Sequence, residues 1–155
     1  MGEEDKIKMI EELTQEVLQK LGVTAKISVF PNEDKCFKID ISGDDLGALI
    51  GFHGEGLSAL QLFLNLAVHK KIGEWQRVLV DVGGYRQERE QKIYELAQRT
   101  ADRVRFLQTP VTLTPMPAFE RRLVHIALAG DKTVETESVG EGGERRVVIK
   151  PAPSA

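Results

Sequence analysis

Cysteine is nearly absent from this chain. Its 155 residues contain only Cys36, which excludes an internal disulfide and a cysteine-built metal site. Long apolar runs are missing as well. The longest, Leu57 to Val68, is interrupted by Ser58, Gln61 and Asn65 and falls short of the roughly 20 residues that span a bilayer. The opening "MGEEDKIKMI" has no signal-peptide core, and Lys6 stands where a myristoylation signal needs Ser or Thr. These absences predict a cytoplasmic protein with no membrane segment. Positive charge is not in excess: the net charge is −3, which taken alone argues against a partner as anionic as nucleic acid. His53, His69 and His125 are scattered, and Cys36 has no histidine near it in sequence. A nucleophile, a base and an orienting group do not come together. The sequence therefore predicts no catalytic residue, no metal and no cofactor.

What is present is unevenly distributed. Met1 to Val82 carries 14 acids against 9 bases, a net of −5, whereas Gly83 to Ala155 carries 10 acids against 12 bases, a net of +2. Every arginine but Arg77 lies in the second stretch, and arginine is the cation suited to bidentate phosphate contact. Hydrophobic spacing divides the chain at the same place. Ile7, Ile10, Leu13, Val17, Leu18 and Leu21 recur at three and four residues, predicting a helix over 4–21 that Gly22 ends. "TAKISVF" and "CFKIDIS" alternate around the turn "PNEDK" and predict a hairpin. "GDDLGALI" predicts a short helical turn, in which "GDD" is a helix cap rather than a metal-binding pair. An apolar helix follows over 55–71, then a third strand, "RVLVDV", which Trp75 is expected to begin, packing locally.

Gly83 and Gly84 mark a boundary, predicting domains over 1–82 and 83–155. The second begins with a long helix over 85–107. Three prolines keep "TPVTLTPMP" extended. A helix over 118–129 comes next, then two strands, "TVETES" and "RRVVIKP", joined by "VGEGGE". That turn links strands rather than a strand and a helix, so it is not a nucleotide fingerprint. The last residues, "PAPSA", read as a frayed tail.

Two motifs carry the functional expectation. In "LIGFHGEGLSAL", Gly51 and Gly54 bracket Phe52 and His53 between two helices. A helix N-terminus with outward N–H groups attracts phosphate, although such a loop can equally be a plain helical corner. In the helix from Ala118, Arg121 and His125 are one turn apart, and with Arg122 they cover an arc of roughly 100°. Phe119, Leu123, Ile126 and Ala127 fall opposite and are expected in the core. On the long helix, Arg89, Lys92, Arg99 and Arg103 fall within an arc of about 80°, a possible phosphate track beside acidic neighbours.

The order helix–hairpin–helix–G-x-x-G–helix–strand, in "DISGDDLGALIGFHGEGLSALQLFLNLAVHKK", resembles a type II KH domain. "PMPAFERRLVHIALAG" with "VETESVGEGGERRVVIKP" resembles an R-3-H domain. Together they resemble the bacterial Jag (KhpB, SpoIIIJ-associated) family of RNA-binding proteins across essentially the whole chain. That resemblance implies an α+β protein: a KH domain of α-β-β-α-α-β order, its three-stranded sheet covered by helices on one face, then a small α/β R-3-H domain. It implies single-stranded RNA or DNA clamped at Gly51, Phe52, His53 and Gly54, with Ile50 and Leu57 flanking the groove. Arg121 and His125 join through the R-3-H signature, Arg122 through the arc it shares with them, and Arg89 and Lys92 through the helical stripe. It further implies a post-transcriptional regulator or RNA chaperone that partners a small stand-alone KH protein or itself, and an additional N-terminal domain in full-length members.

Such loops usually carry Lys or Arg between the glycines, and this one carries Phe52 and His53. A protein-interaction module whose loop no longer binds RNA therefore stays open beside the RNA-binding reading, as does a hydrolase built on His125.

Overall fold

Apolar residues at helical spacing wind Glu3–Lys20 into α1, which buries Ile10, Thr14 and Leu18. Its acidic first turn suits a helix N-terminus. The computed structural model describes residues 1–153, and the chain divides into two compact units between Arg86 and Gln87.

In the first unit, β1 (Lys26–Asn32) and β2 (Cys36–Ser42) pair antiparallel with Val29 opposite Ile39. The hairpin turns later than the sequence suggests. Pro31 and Asn32 still pair with Phe37 and Cys36, which an edge strand permits for proline. The reversal falls at Asp34 and Lys35, both with positive φ. After α2 (Gly47–Ile50) and α3 (Glu55–Ile72), β3 (Val78–Val82) lies parallel to β2, giving the order β1-β2-β3. Trp75 does not begin that strand. It is exposed before β3, its ring tilted against His69 at 5.4 Å between centroids.

The polar interruptions of α3 have a structural use. The Asn65 carboxamide donates to the Val78 carbonyl at 3.0 Å and accepts from the Val78 N–H at 2.9 Å. The Gln61 side-chain carbonyl accepts from the Val80 N–H at 3.0 Å and from the Arg86 guanidinium at 2.8 Å. Since β3 ends the sheet, these amides satisfy backbone groups that β2 does not reach. Leu57, Leu60, Leu64 and Val68 meanwhile join Ile10, Leu18, Ile39, Ile41 and Val80 in the core.

Most of α4 (Tyr85–Leu107) belongs to the second unit, where it buries Ile93, Ala97, Thr100, Ala101 and Val104. β4 (Val111–Thr112), β5 (Val134–Val139) and β6 (Arg146–Pro151) form an antiparallel sheet of order β4-β6-β5. α5 (Ala118–Leu128) adds Val124 and Leu128 to a core that includes Val147 and Ile149. The chain stays ordered into the expected tail. Pro151 pairs with Val134, and the Ala152 N–H donates to the Thr133 carbonyl at 3.0 Å. Ser154 and Ala155 of that tail lie outside the described residues. No described helix is long and apolar enough to cross a membrane.

Candidate nucleic-acid interface

The glycine loop is built by two close backbone approaches. Gly51 follows α2 with φ 68° and ψ −174°, a region essentially closed to other residues. A Cβ there would stand 2.9 Å from the Gly56 nitrogen. A Cβ on Gly56 would stand 2.6 Å from the Leu49 carbonyl oxygen. α2 and the start of α3 therefore meet with no room for a side chain at either position. Gly56 is absent from the sequence-based site because the helical pattern accounted for it. The third glycine in "GFHGEG" was the available signal. Gly54 is buried, and a Cβ on it would meet the Tyr85 ring at 3.0 Å.

This frame pushes Phe52 outward. It is 73% exposed, and the His53 ring meets it edge-on with centroids 4.1 Å apart. Ile50 is half-buried beside the loop. Leu57 is not a groove residue. It is 1% exposed because its position on α3 puts it on the sheet-facing stripe with Leu60, Leu64 and Val68, out of reach of a base.

In the second unit the expected core face of α5 is turned by about a quarter of a rotation, on the 100° per residue scale. Phe119 and Ile126 are 56% and 60% exposed, while Glu120, Val124 and Leu128 are buried. Polar interactions hold this orientation. Glu120 accepts two hydrogen bonds from Arg89, from Nε at 2.7 Å and Nη2 at 3.0 Å. Arg89 is thus half-buried in an ion pair rather than presented on an open phosphate track. Position on α4 accounts for this: Arg89 borders the buried stripe, and a carboxylate stands opposite. Lys92 is exposed and pairs with Glu88 at 3.2 Å.

The signature residues also have internal partners. The Arg121 guanidinium donates to the Met116 carbonyl at 2.6 Å. His125 Nδ1 lies 2.7 Å from Thr136 Oγ1, and Nε2 lies 2.8 Å from Ser138 Oγ. Thr136 and Ser138 are two apart on β5 and so face the same side. Sequence reading missed both, although "TES" carries that alternation. Burial, and secondarily the Arg121 charge, hold the His125 imidazole below its ordinary pKa. Arg122 alone of the three is exposed, and no hydrogen bond or ion pair engages it among the described residues.

A pH effect follows. The folded unit prefers neutral His125, so that preference adds stability above the ordinary pKa of 6.5 and is lost as pH falls through the lower folded value. Acidification from about pH 7.5 to about pH 5 is expected to lower the melting temperature of wild type more than that of His125→Gln. Equal falls in the two proteins would refute this.

Among known proteins, the family described as the KH domain of KhpA/KhpB matches residues 7–82, and the R-3-H domain family matches residues 91–151. The RNA-binding protein KhpB of Clostridium symbiosum is 37% identical over 139 residues, covering 89% of this chain and 63% of that protein. The RNA-binding protein KhpB of Bacillus subtilis is 34% identical over 131 residues, covering 83% and 63% respectively. That of Lactiplantibacillus plantarum is 37% identical over 134 residues, covering 86% and 41%. This chain thus spans less than two thirds of the length of these relatives.

Proposed function

The chain belongs to the family that joins a KhpA/KhpB-type KH domain to an R-3-H domain, and from that premise we propose that it binds single-stranded RNA without catalysing a reaction. It acts in the cytoplasm as a post-transcriptional regulator or RNA chaperone, with single-stranded DNA a second ligand class. Its working division is a KH domain over 1–82 and an R-3-H domain over 83–155.

The observation that carries this reading is the Gly51–Gly54 loop. Two backbone approaches hold it open, and its most exposed side chain is an aromatic ring available for base stacking. Ile50, Gly51, Phe52, His53 and Gly54 form the contact in the first unit. In the second, Arg122 is the cation of the signature helix open to phosphate, beside the half-buried Arg121 and His125. Lys92 is a peripheral charge whose surface pair with Glu88 costs little to exchange.

The test is titration of a labelled single-stranded oligoribonucleotide at several salt concentrations. Wild type is expected to bind saturably at low salt. Phe52→Lys/His53→Arg is expected to bind tighter and to steepen the salt dependence by about 1.4, at roughly 0.7 per added phosphate contact on a single strand. Absence of saturable binding by wild type at low salt would remove the proposal.

A separate observation favours a protein partner. Leu62, Phe63 and Leu66 are all exposed on the outer side of α3, a contiguous apolar face of the kind that marks interaction sites. A second copy of this chain, or a small stand-alone KH protein, is the occupant the family resemblance suggests. Sedimentation at rising concentration is expected to show wild type self-associating and Leu66→Lys remaining monomeric. A wild type that stays monomeric throughout would exclude the second copy.

A further inference from the structure

The arginines of the second unit are mostly committed to internal partners. Arg89 binds Glu120, Arg105 bridges Asp102 and Asp131, Arg121 holds the Met116 carbonyl, Arg145 holds the Gly140 carbonyl, and Arg146 pairs with Glu144. Besides Arg122, two are left. Arg99 and Arg103 are exposed, and no hydrogen bond or ion pair engages either one among the described residues. They sit one turn apart on α4, separated by roughly 6 Å of axial rise, and so share a face. One turn further on, within about 60° of Arg103, stands Phe106. It is 87% exposed, the most exposed large apolar side chain of the described residues.

We propose that Arg99, Arg103 and Phe106 form a second nucleic-acid contact, in which two phosphates of a single strand meet the guanidinium groups and an adjoining base stacks on the phenyl ring. This rests on the RNA-binding reading above and adds to it a site away from the signature helix.

An 87% exposed phenyl contributes almost nothing to the core and exposes apolar surface to water, so packing does not account for it. Unpaired guanidinium groups beside an aromatic ring suit an anionic backbone that carries flat bases, because arginine matches phosphate oxygens and any base has a π-face. Nearby carboxylates are largely engaged. Asp102 is held by Arg105, Glu88 pairs with Lys92, and Glu95 accepts from the Gln91 side chain at 3.2 Å. The stripe seen in the sequence thus divides: its N-terminal part is internally paired, and its C-terminal part is open. Sequence periodicity finds the arginines but not the phenylalanine, whose exposure only the packing reveals.

The test uses the full chain and a labelled single-stranded oligoribonucleotide of mixed sequence, titrated by fluorescence anisotropy at several salt concentrations. Arg99→Gln/Arg103→Gln is expected to reduce the salt slope by about 1.4, for two lost phosphate contacts, and to weaken binding about tenfold or more at moderate salt. Phe106→Ala is expected to weaken binding at least fivefold with the slope unchanged, and Phe106→Trp to restore it. All three positions are exposed, and circular dichroism melts coincident with wild type establish that the variants fold. Wild-type binding with both variants unchanged would overturn this site while leaving the RNA-binding reading intact. No wild-type binding at low salt would overturn both. A reduced slope with Phe106→Ala unaffected would make the face a diffuse cationic patch open to any polyanion, including an acidic protein, and would overturn the stacking assignment.

Discussion

Replacement of Arg89 with alanine is expected to destabilise the second unit by about 3 kcal/mol, the scale for removing one partner of a buried ion pair. Glu120 is buried on α5 and takes two hydrogen bonds from the Arg89 guanidinium. Truncation removes both and leaves the carboxylate desolvated. For a unit of this size the loss corresponds to a fall of roughly 12–24 °C in its melting temperature. Arg89→Lys is expected to recover only part of it, because a single ammonium cannot reproduce the forked contact. The pair also fixes the rotation of α5, so Arg89→Ala is expected to weaken RNA binding through misplacement of Arg122 rather than through a lost phosphate contact. Thermal and urea denaturation of the full chain measure the effect. A loss below about 1 kcal/mol would class the pair with ordinary surface ion pairs.

The second large effect is expected at the glycine loop. Gly51→Ala would place a side chain in a conformation that costs about 1–3 kcal/mol by itself, and 2.9 Å from the Gly56 nitrogen. Gly56→Ala would drive a methyl group against the Leu49 carbonyl oxygen. Each substitution is expected to destabilise the first unit by about 2 kcal/mol or more and to weaken oligonucleotide binding at least tenfold, by prising α2 from α3. Gly47→Ala is the control. Nothing lies within 4 Å of a Cβ there, and alanine in a helix is favoured over glycine by up to about 1 kcal/mol. It is expected to be neutral or stabilising with binding retained. Equal behaviour of the three variants would mean that the close approach does not hold the loop.

Regular elements were legible because their signals are local. Periodicity of three and four placed α1, α3 and α4 within a residue or two, and alternation placed β2 from Cys36 to Ser42. The glycine loop was legible as a motif only through its setting after a hairpin and before a third strand, since two glycines between helices can equally turn a plain corner. The orientation of α5 was not. Hydrophobicity alone assigned Phe119 and Ile126 to the core, whereas Glu120 lies inside because Arg89, far along the chain, stands opposite. No window of sequence contains both partners of that pair. His125 likewise depends on two hydroxyls from β5, and Gly56 is constrained by the Leu49 carbonyl on a different helix, which the period of α3 does not reveal. In each case a polar or steric contact between different elements overrides a local pattern.

The amides of Gln61 and Asn65 have a consequence for solubility. An uncovered last strand offers a template on which another chain can extend the sheet, the first step of edge-to-edge aggregation. Here the template at β3 is occupied: the Val78 and Val80 backbone groups are already bound by side chains of α3. The opposite border, β1, contains Pro31, which cannot donate a hydrogen bond to an incoming strand. Two polar residues that interrupt an apolar helix thus act as a seal, and the three-stranded sheet is closed to growth along one side and hindered along the other.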